Sequence, residues 1–290
     1  SPYDTGVVFP EAYTTDPAGR LFLTNFGSGD VRVYTTADGV PTEVAGSPFA
    51  ISGLSGAMDG LLHPAGFYLV ADRAGDQVGV YQISGSGNST TMAAVAGSPF
   101  TSGGTVTDAL ALSQSGRYLF VGNGTSRNIT TFLVDPTTGA LNTVTTQPAD
   151  TLGGSDNLLS SLAYFQPQGS LLYVLNSNST ANRIFGYRVN ETYGSLAPIF
   201  GFPIETGGTG VGVTFLGERL AFDRIHNRLF ALNDVTPTVS GYRVDPVSGF
   251  LTELPFSPFA VTPATTPALA LHPSGSPLLV SDFSGESRVT

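Results

Sequence analysis

The chain contains no cysteine, no lysine and no tryptophan, and only three histidines and two methionines in 290 residues. The lack of cysteine excludes both a disulfide framework and any thiolate nucleophile or ligand. The lack of lysine leaves twelve arginines against 22 acidic side chains, a formal charge of −10. A surface that tracks a phosphate backbone, and with it nucleic-acid binding, is excluded on that charge. No apolar run approaches the roughly 18 residues of a membrane-spanning helix. The opening SPYDTG lacks the character of a secretory leader, so the chain reads as a soluble product with no membrane span. No residue set in it calls for a cofactor or a metal.

Glycine and proline are abundant instead, at 36 and 20 residues, beside 41% hydrophobic and 12% charged residues. That balance describes many short elements joined by tight turns around a real core. The chain repeats itself six times: TTDPAGRLFLTN from Thr14, LLHPAGFYLVAD from Leu61, LALSQSGRYLFVGN from Leu110, LAYFQPQGSLLYVLN from Leu162, LAFDRIHNRLFALN from Leu220 and LALHPSGSPLLVSD from Leu269. Gly19, Gly66, Gly116, Gly169, Asn227 and Gly275 mark the turn within each copy. A period near 50 residues with several strands per unit is the signature of a β-propeller.

Each unit has an apolar run suited to an inner strand, such as Ala109–Leu112, then a turn and an alternating strand such as Tyr118–Val121. A third strand ends in an aromatic: Tyr34, Tyr81, Phe132, Tyr187 or Tyr242. Turns such as DPTTG at Asp135–Gly139 and DPVSG at Asp245–Gly249 use proline to preset one dihedral and glycine to accept positive φ. A fourth strand runs into AGSPF at Ala45–Phe49 and Ala96–Phe100, and PFSPF at Pro255–Phe259. The expected fold is all-β: one propeller domain over residues 1–290, built of four-stranded antiparallel blades. It has six blades for the chain as it stands, or seven if the chain is a piece of a longer one.

The runs SGRYLFVGN, LVDPTTGAL and AGSPF resemble the lactonase-like propellers, the group of phosphogluconolactonases, carboxymuconate cyclases and YVTN-type surface proteins. These motifs are turn and packing residues, so the resemblance implies a fold more directly than an activity. It also implies that the cyclase-type enzymes of the group use a channel-facing histidine with acidic and arginine partners. Here His63, His226 and His272 all fall in the turn at the far end of an inner strand, and none matches that role.

Aligning the repeats places Glu11, Met58, Asp108, Ser161, Arg219 and Pro267 just before each inner strand, with Asp59 one residue further in. Glu11, Asp59, Asp108, Ser161 and Arg219 are therefore the candidates for the channel mouth. They would suit a small anion, a cation or a lactone carboxylate, or simply fill the channel as hydrated polar groups. GSGD at Gly27–Asp30, AGDQ at Ala74–Gln77 and GGTGVG at Gly207–Gly212 read as loops rather than ion or phosphate sites.

Asn-x-Ser/Thr sequons occur at Asn88, Asn123, Asn128, Asn178 and Asn190, all in polar loops or turns. With no placed catalytic histidine, they favour a glycosylated extracellular or cell-surface propeller with a structural, adhesive, filament or sheath role. The other reading is a lactonase or lactonising cyclase acting on a small carboxylate at the channel, with Glu11, Asp108 and Arg219 as its catalytic set. The sequence leaves open whether the chain is an enzyme. The sixth copy stops at Thr290, short of its third-strand aromatic, so the last blade is read as incomplete. Its open strand edge near Arg288, Val289 and Thr290, together with the N-terminus, is expected to invite self-association.

Overall fold

Each repeat folds into an antiparallel sheet whose strands lie side by side in sequence order. The computed structural model describes residues 10–36, 39–149, 158–165, 170–210, 218–261, 268–272 and 274–280. The inner strands of the first five blades are Pro10–Thr15, Ala57–His63, Thr107–Leu112, Leu158–Phe165 and Leu220–Asp223. A sixth sheet is described as Leu269–Leu271 paired with Leu278–Val280. Each inner strand packs against the next, first to second through fifth to sixth, so they surround a common channel. The all-β propeller expected from the repeat is the fold observed.

Period-2 alternation explains why the blades must stack. In the second blade Tyr68 and Val70 of strand Phe67–Asp72 pack with Phe22, Val31 and Val33 of the first blade. The intervening Phe67, Leu69 and Ala71 pack with Leu119, Val121 and Phe132 of the third. Tyr173 and Leu175 in the fourth blade likewise face Leu229 and Tyr242 in the fifth, while Leu172 and Val174 face Phe120 and Ile129 in the third. Both faces of these strands are apolar and buried, which a lone four-stranded sheet cannot satisfy. Each such side chain contributes about 1.5–3 kcal/mol by leaving water. The recurring aromatic of the third strand reaches back to the preceding blade, as Tyr81, Phe132, Tyr187 and Tyr242 do.

The outer strand departs from the expected single run. In the first blade Thr42–Glu43 and Phe49–Ala50 both pair with the third strand, and the AGSP of AGSPF lies between them. The second, fourth and fifth blades are broken the same way. Proline there has no N–H to offer the ladder, and the preceding serine replaces part of it. Ser47 Oγ accepts the Val33 N–H at 3.1 Å, Ser98 Oγ that of Val80 at 2.8 Å and Ser257 Oγ that of Gly241 at 3.1 Å. The third blade has no such motif, and its outer strand Leu141–Pro148 is continuous.

The marker turns are equivalent: φ is +77° at Gly19, +86° at Gly66, +76° at Gly116, +81° at Gly275 and +52° at Asn227. Gly169 lies outside the described residues, as do Arg288, Val289, Thr290 and the first nine residues of the chain, so the edge expected to self-associate is not described. The turns between third and fourth strands lock neighbouring blades together. Asp135 Oδ1 accepts the Thr137 and Thr138 N–H groups, Asp245 Oδ1 those of Val247 and Ser248, and Asn190 takes the same role in the fourth blade. Gly139 closes its turn at φ +73°, and a Cβ there would stand 2.9 Å from the Phe67 ring of the second blade. Gly139→Ala is therefore expected to cost roughly 1–3 kcal/mol through backbone strain and overpacking. Urea unfolding of the variant beside Gly29→Ala, a positive-φ glycine with nothing within 4 Å of its Cβ position, separates packing from backbone strain.

Candidate functional site at the channel mouth

The start of the inner strand in the first four blades carries an irregularity that decides what reaches the channel. Pairing with the second strand slips by one residue, leaving Glu11, Met58, Asp108 and Ser160 without a cross-strand partner in the first four blades. Such a bulge re-aims the side chains around it. In the fifth blade Leu220 pairs with Ala231, and the Leu232 N–H donates to the Arg219 carbonyl at 2.9 Å. Arg219 thus stands in register with Ala12, Asp59, Ala109 and Ser161, and Glu218 stands in register with the bulged residues. The alignment that equated Ser161 and Arg219 with Glu11 and Asp108 is one residue out of step. The turns joining the first two strands differ in length, so apolar runs alone do not hold the register. Glu218 is the residue this error hides. Pro267 lies outside the described residues.

Because each inner strand is an edge, its outward N–H groups need partners from the next blade. Asp59 Oδ2 accepts the Leu110 N–H at 2.8 Å, and its Oδ1 accepts the N–H of Gly60 at 2.7 Å. Two blades on, Ser161 Oγ accepts the Leu220 N–H and donates to Glu218 Oε2, both at 3.3 Å. The Leu269 N–H of the sixth sheet donates to the Glu218 carbonyl at 2.7 Å. Glu218 also lines a cavity of about 260 Å³ between the third, fourth and fifth inner strands, with Leu110, Leu162, Tyr164, Leu220 and Arg224 around it.

The two channel carboxyls hold their protons unusually tightly. Burial raises Asp59 to about 6, against which the Leu110 and Gly60 amides pull it down. Glu218 is raised well above the usual carboxylate range, first by burial and then by the negative charge of Asp59. Glu218 is exposed and Asp59 half-buried. Neither is fully enclosed, yet the surrounding protein desolvates their charged forms. The Tyr13 hydroxyl of the first blade is also raised, by burial and then by Glu218.

A second group of charges stands at the rim. Arg73 Nη1 lies 3.2 Å from Asp108 Oδ1, close enough to attract but not aligned as a hydrogen bond. Arg219 is fully buried; its Nη2 donates to Asp234 Oδ2 at 3.0 Å and its Nη1 to Ser177 Oγ at 2.8 Å. Among the described residues its Nε has no hydrogen-bond partner. Burial raises Asp108 to about 7 despite the attraction of Arg73 and Arg219. Burial lowers Arg219 to about 10, with Asp234 and Asp108 opposing. The structure places Asp108 and Arg219 near enough to interact electrostatically and adds Arg73, which no repeat position had marked. Glu11 is half-buried at the bulge of the first inner strand.

The histidines occupy turns. His63 Nε2 donates to the Gly116 carbonyl at 2.8 Å while its Nδ1 accepts the Ala65 N–H, His226 pairs with Asp223, and His272 bonds Ser274. GGTGVG is glycine-rich because Gly208 lies against Asn233 and Gly210 against Ser177 and Asp234, where a Cβ has no room. Its last two residues are outside the described ones. Asp30 and Asp76 serve as loop acceptors, from Asn25 Nδ2 and the Val106 N–H. Among the described residues no cluster of three or more His, Asp and Glu side chains is arranged to hold a metal, and no helix is long and apolar enough to cross a membrane.

The sequons divide by burial. Asn123 is fully buried, and its amide donates to Ser102 O, Asn128 Oδ1 and Thr130 Oγ1. Asn178 is 5% exposed. Neither position has space for a glycan in the folded chain, which corrects the expectation for both. Asn128 is half-buried and bonded through both amide atoms. Asn88 and Asn190 are exposed.

This is the architecture of a β-propeller with polar groups concentrated at one end of its channel. A family model described as lactonase, 7-bladed beta-propeller, matches residues 46–154. Curated proteins give no match. Among solved structures, the periplasmic gluconolactonase of Pseudomonas aeruginosa is 20% identical with a TM-score of 0.70, over 88% of this chain and 71% of its own. A putative 6-phosphogluconolactonase from Bacteroides uniformis is 15% identical with a TM-score of 0.74, over 97% and 80%. A Lactobacillus plantarum protein is 22% identical with a TM-score of 0.71, over 88% and 72%. The chain resembles the lactonase-like propellers, as its repeat motifs implied. These findings overturn the reading of a structural, adhesive or filament-forming surface glycoprotein and favour the lactonase alternative.

The burial pattern of the sequons is directly testable. When the chain is secreted from a host that glycosylates sequons, peptide mapping of the folded product is expected to find sugar at Asn88 and Asn190 and none at Asn123 or Asn178.

Proposed function

We propose that the protein opens, or in reverse closes, the ring of a small lactone within the central channel. The observation that carries this reading is the Asp59–Glu218 pair: two carboxyls of unequal proton affinity facing one channel, one of them lining a cavity of small-molecule scale. The family match and the lactonase relatives support the same reaction class.

Lactone opening needs one proton taken from water and one given to the ring oxygen. In this reading Asp59, near 6, is the member mostly ionised at neutral pH, and Glu218, raised well above the usual carboxylate range by burial and by the charge of Asp59, is the proton donor. Asp59 accepts a proton from the attacking water as the oxygen–carbonyl-carbon bond forms. Glu218 donates its proton to the ring oxygen as the ring C–O bond breaks. Asp59 then returns a proton to Glu218, and the product leaves as a hydroxy acid that ionises in solution. Carboxyls poised near the working pH perform such transfers well. Ser161, hydrogen-bonded to Glu218 Oε2 and to the Leu220 N–H, is a positioning residue that fixes the acid against the channel wall.

The test is base consumption in a pH-stat over a panel of γ- and δ-lactones. Turnover is expected for at least one, with kcat reduced about 10²–10⁴-fold in Glu218→Gln and in Asp59→Asn. The kcat/KM profile should rise with pH through an apparent value near that of Asp59, about 6, because the base must be deprotonated, and fall again where Glu218 loses its proton. A panel that yields no turnover, or variants that retain full activity, would contradict the proposal.

A further inference from the structure

The rim cluster is separate from the carboxyl pair and has its own chemistry. Asp108 is 8% exposed and faces two cations, Arg73 from the loop after the second strand of its neighbouring blade and Arg219 from the fifth blade. Asp234 stands behind Arg219. Of the other ionisable groups on the elements packed around it, Asp59 is bonded to channel-facing amides, and Asp72 accepts the Ser55 and Gly56 N–H groups. His63 sits in the far turn and bonds Gly116, Tyr118 bonds Thr192, Tyr68 bonds Thr24, and Tyr164 bonds Glu191.

Two features of the cluster point to an incoming anion. Arg219 is 0% exposed and keeps an Nε–H with no hydrogen-bond partner among the described residues, so a buried charged donor is left with unused bonding capacity. The Arg73–Asp108 pair is misaligned, so little directional bonding holds Asp108 in place. Arg73 keeps 15% of its side chain exposed, which gives a ligand an approach from solvent.

We infer that this rim is a proton-coupled site for a small carboxylate, in which the incoming anion takes the place of the Asp108 charge between Arg73 and Arg219 while Asp108 takes up one proton and stays as a neutral carboxyl. Charge balances: one anion and one proton enter, and the site keeps its net charge. The exchange is accessible near neutrality because burial already holds Asp108 at about 7. Neutralising its cationic partners with the ligand removes the attraction that favours ionised Asp108, and its proton affinity rises further. The sign follows from linkage. Below that value the proton is already present and affinity is independent of pH; above it, affinity falls about tenfold per pH unit. The inference does not depend on lactone turnover, since it concerns equilibrium binding.

The probes are acetate and 4-hydroxybutyrate, titrated calorimetrically into the whole chain between about pH 6 and 9, in two buffers of different ionisation enthalpy. Near the upper limit the wild type should take up close to one proton per anion bound. In Asp108→Asn, which supplies the neutral group permanently, affinity should equal or exceed the wild-type value at low pH, lose its pH slope and show no buffer-dependent heat. Arg73→Gln should weaken binding at least tenfold. Binding without proton uptake, an unchanged pH slope in Asp108→Asn, or no binding at the lowest pH would overturn the inference. A separate readout covers folding: Asp108→Asn should be more resistant to urea than the wild type above neutral pH, because the buried carboxyl loses its proton only at a cost there, and equal or lower resistance would also count against it.

Discussion

The constraint on which the rest of this molecule depends is that every inner strand is a sheet edge. Four strands cannot close on themselves, so each blade presents a row of backbone N–H and C=O groups to the channel, and a further strand there would fill it. The chain answers with side chains instead. Asp59 takes the Leu110 N–H, Ser161 takes the Leu220 N–H, and the Glu218 carbonyl takes that of Leu269. Each link joins one blade to the next, so the bonds that satisfy the edge also hold the ring. The same requirement brings carboxyl groups into the channel.

Placing carboxyls there changes their acidity. Channel walls remove bulk water without supplying enough hydrogen bonds to compensate, and the charge of Asp59 raises Glu218 further. At the rim Asp108 is nearer to cations and still ends near 7, because desolvation outweighs a poorly aligned ion pair. Arg219 illustrates the opposite case, a buried cation kept by Asp234 and Ser177. Removing one member of such a pair leaves an uncompensated buried charge, which costs several kcal/mol. A structural need, satisfied with ionisable side chains, thereby leaves groups able to move protons.

The sequence displayed the fold because turn chemistry is local. Positive φ at Gly19, Gly66, Gly116 and Gly275, the serine-proline step of the outer strand and the Asp135 and Asp245 turns each leave a mark within a few residues. The site was less visible. A bulge adds a residue without adding a motif, so the apolar runs align while the polar positions slip by one, and Glu218 went unseen beside Arg219. A register taken from the polar residue at or next to the end of each second strand, Asn25, Asp72, Asn123, Asn176 and Asn233, would have exposed it. Arg73 sits in a loop with no periodicity and is placed only by the approach of neighbouring blades. The sequons misled for a related reason. Asn123 has the spacing of a glycan acceptor, but its position at the end of a second strand makes it a buried organiser of its own loop.

The central claim is that the channel holds one carboxyl protonated at neutral pH beside another that is ionised. Infrared difference spectroscopy reads this directly, since protonated and ionised carboxyls absorb at separate frequencies. Subtracting the spectrum of Glu218→Gln from that of the wild type at neutral pH should reveal a protonated-carboxyl band that belongs to Glu218. The corresponding subtraction with Asp59→Asn should reveal an ionised band. A neutral-pH spectrum in which Glu218 contributes only an ionised band would contradict the account.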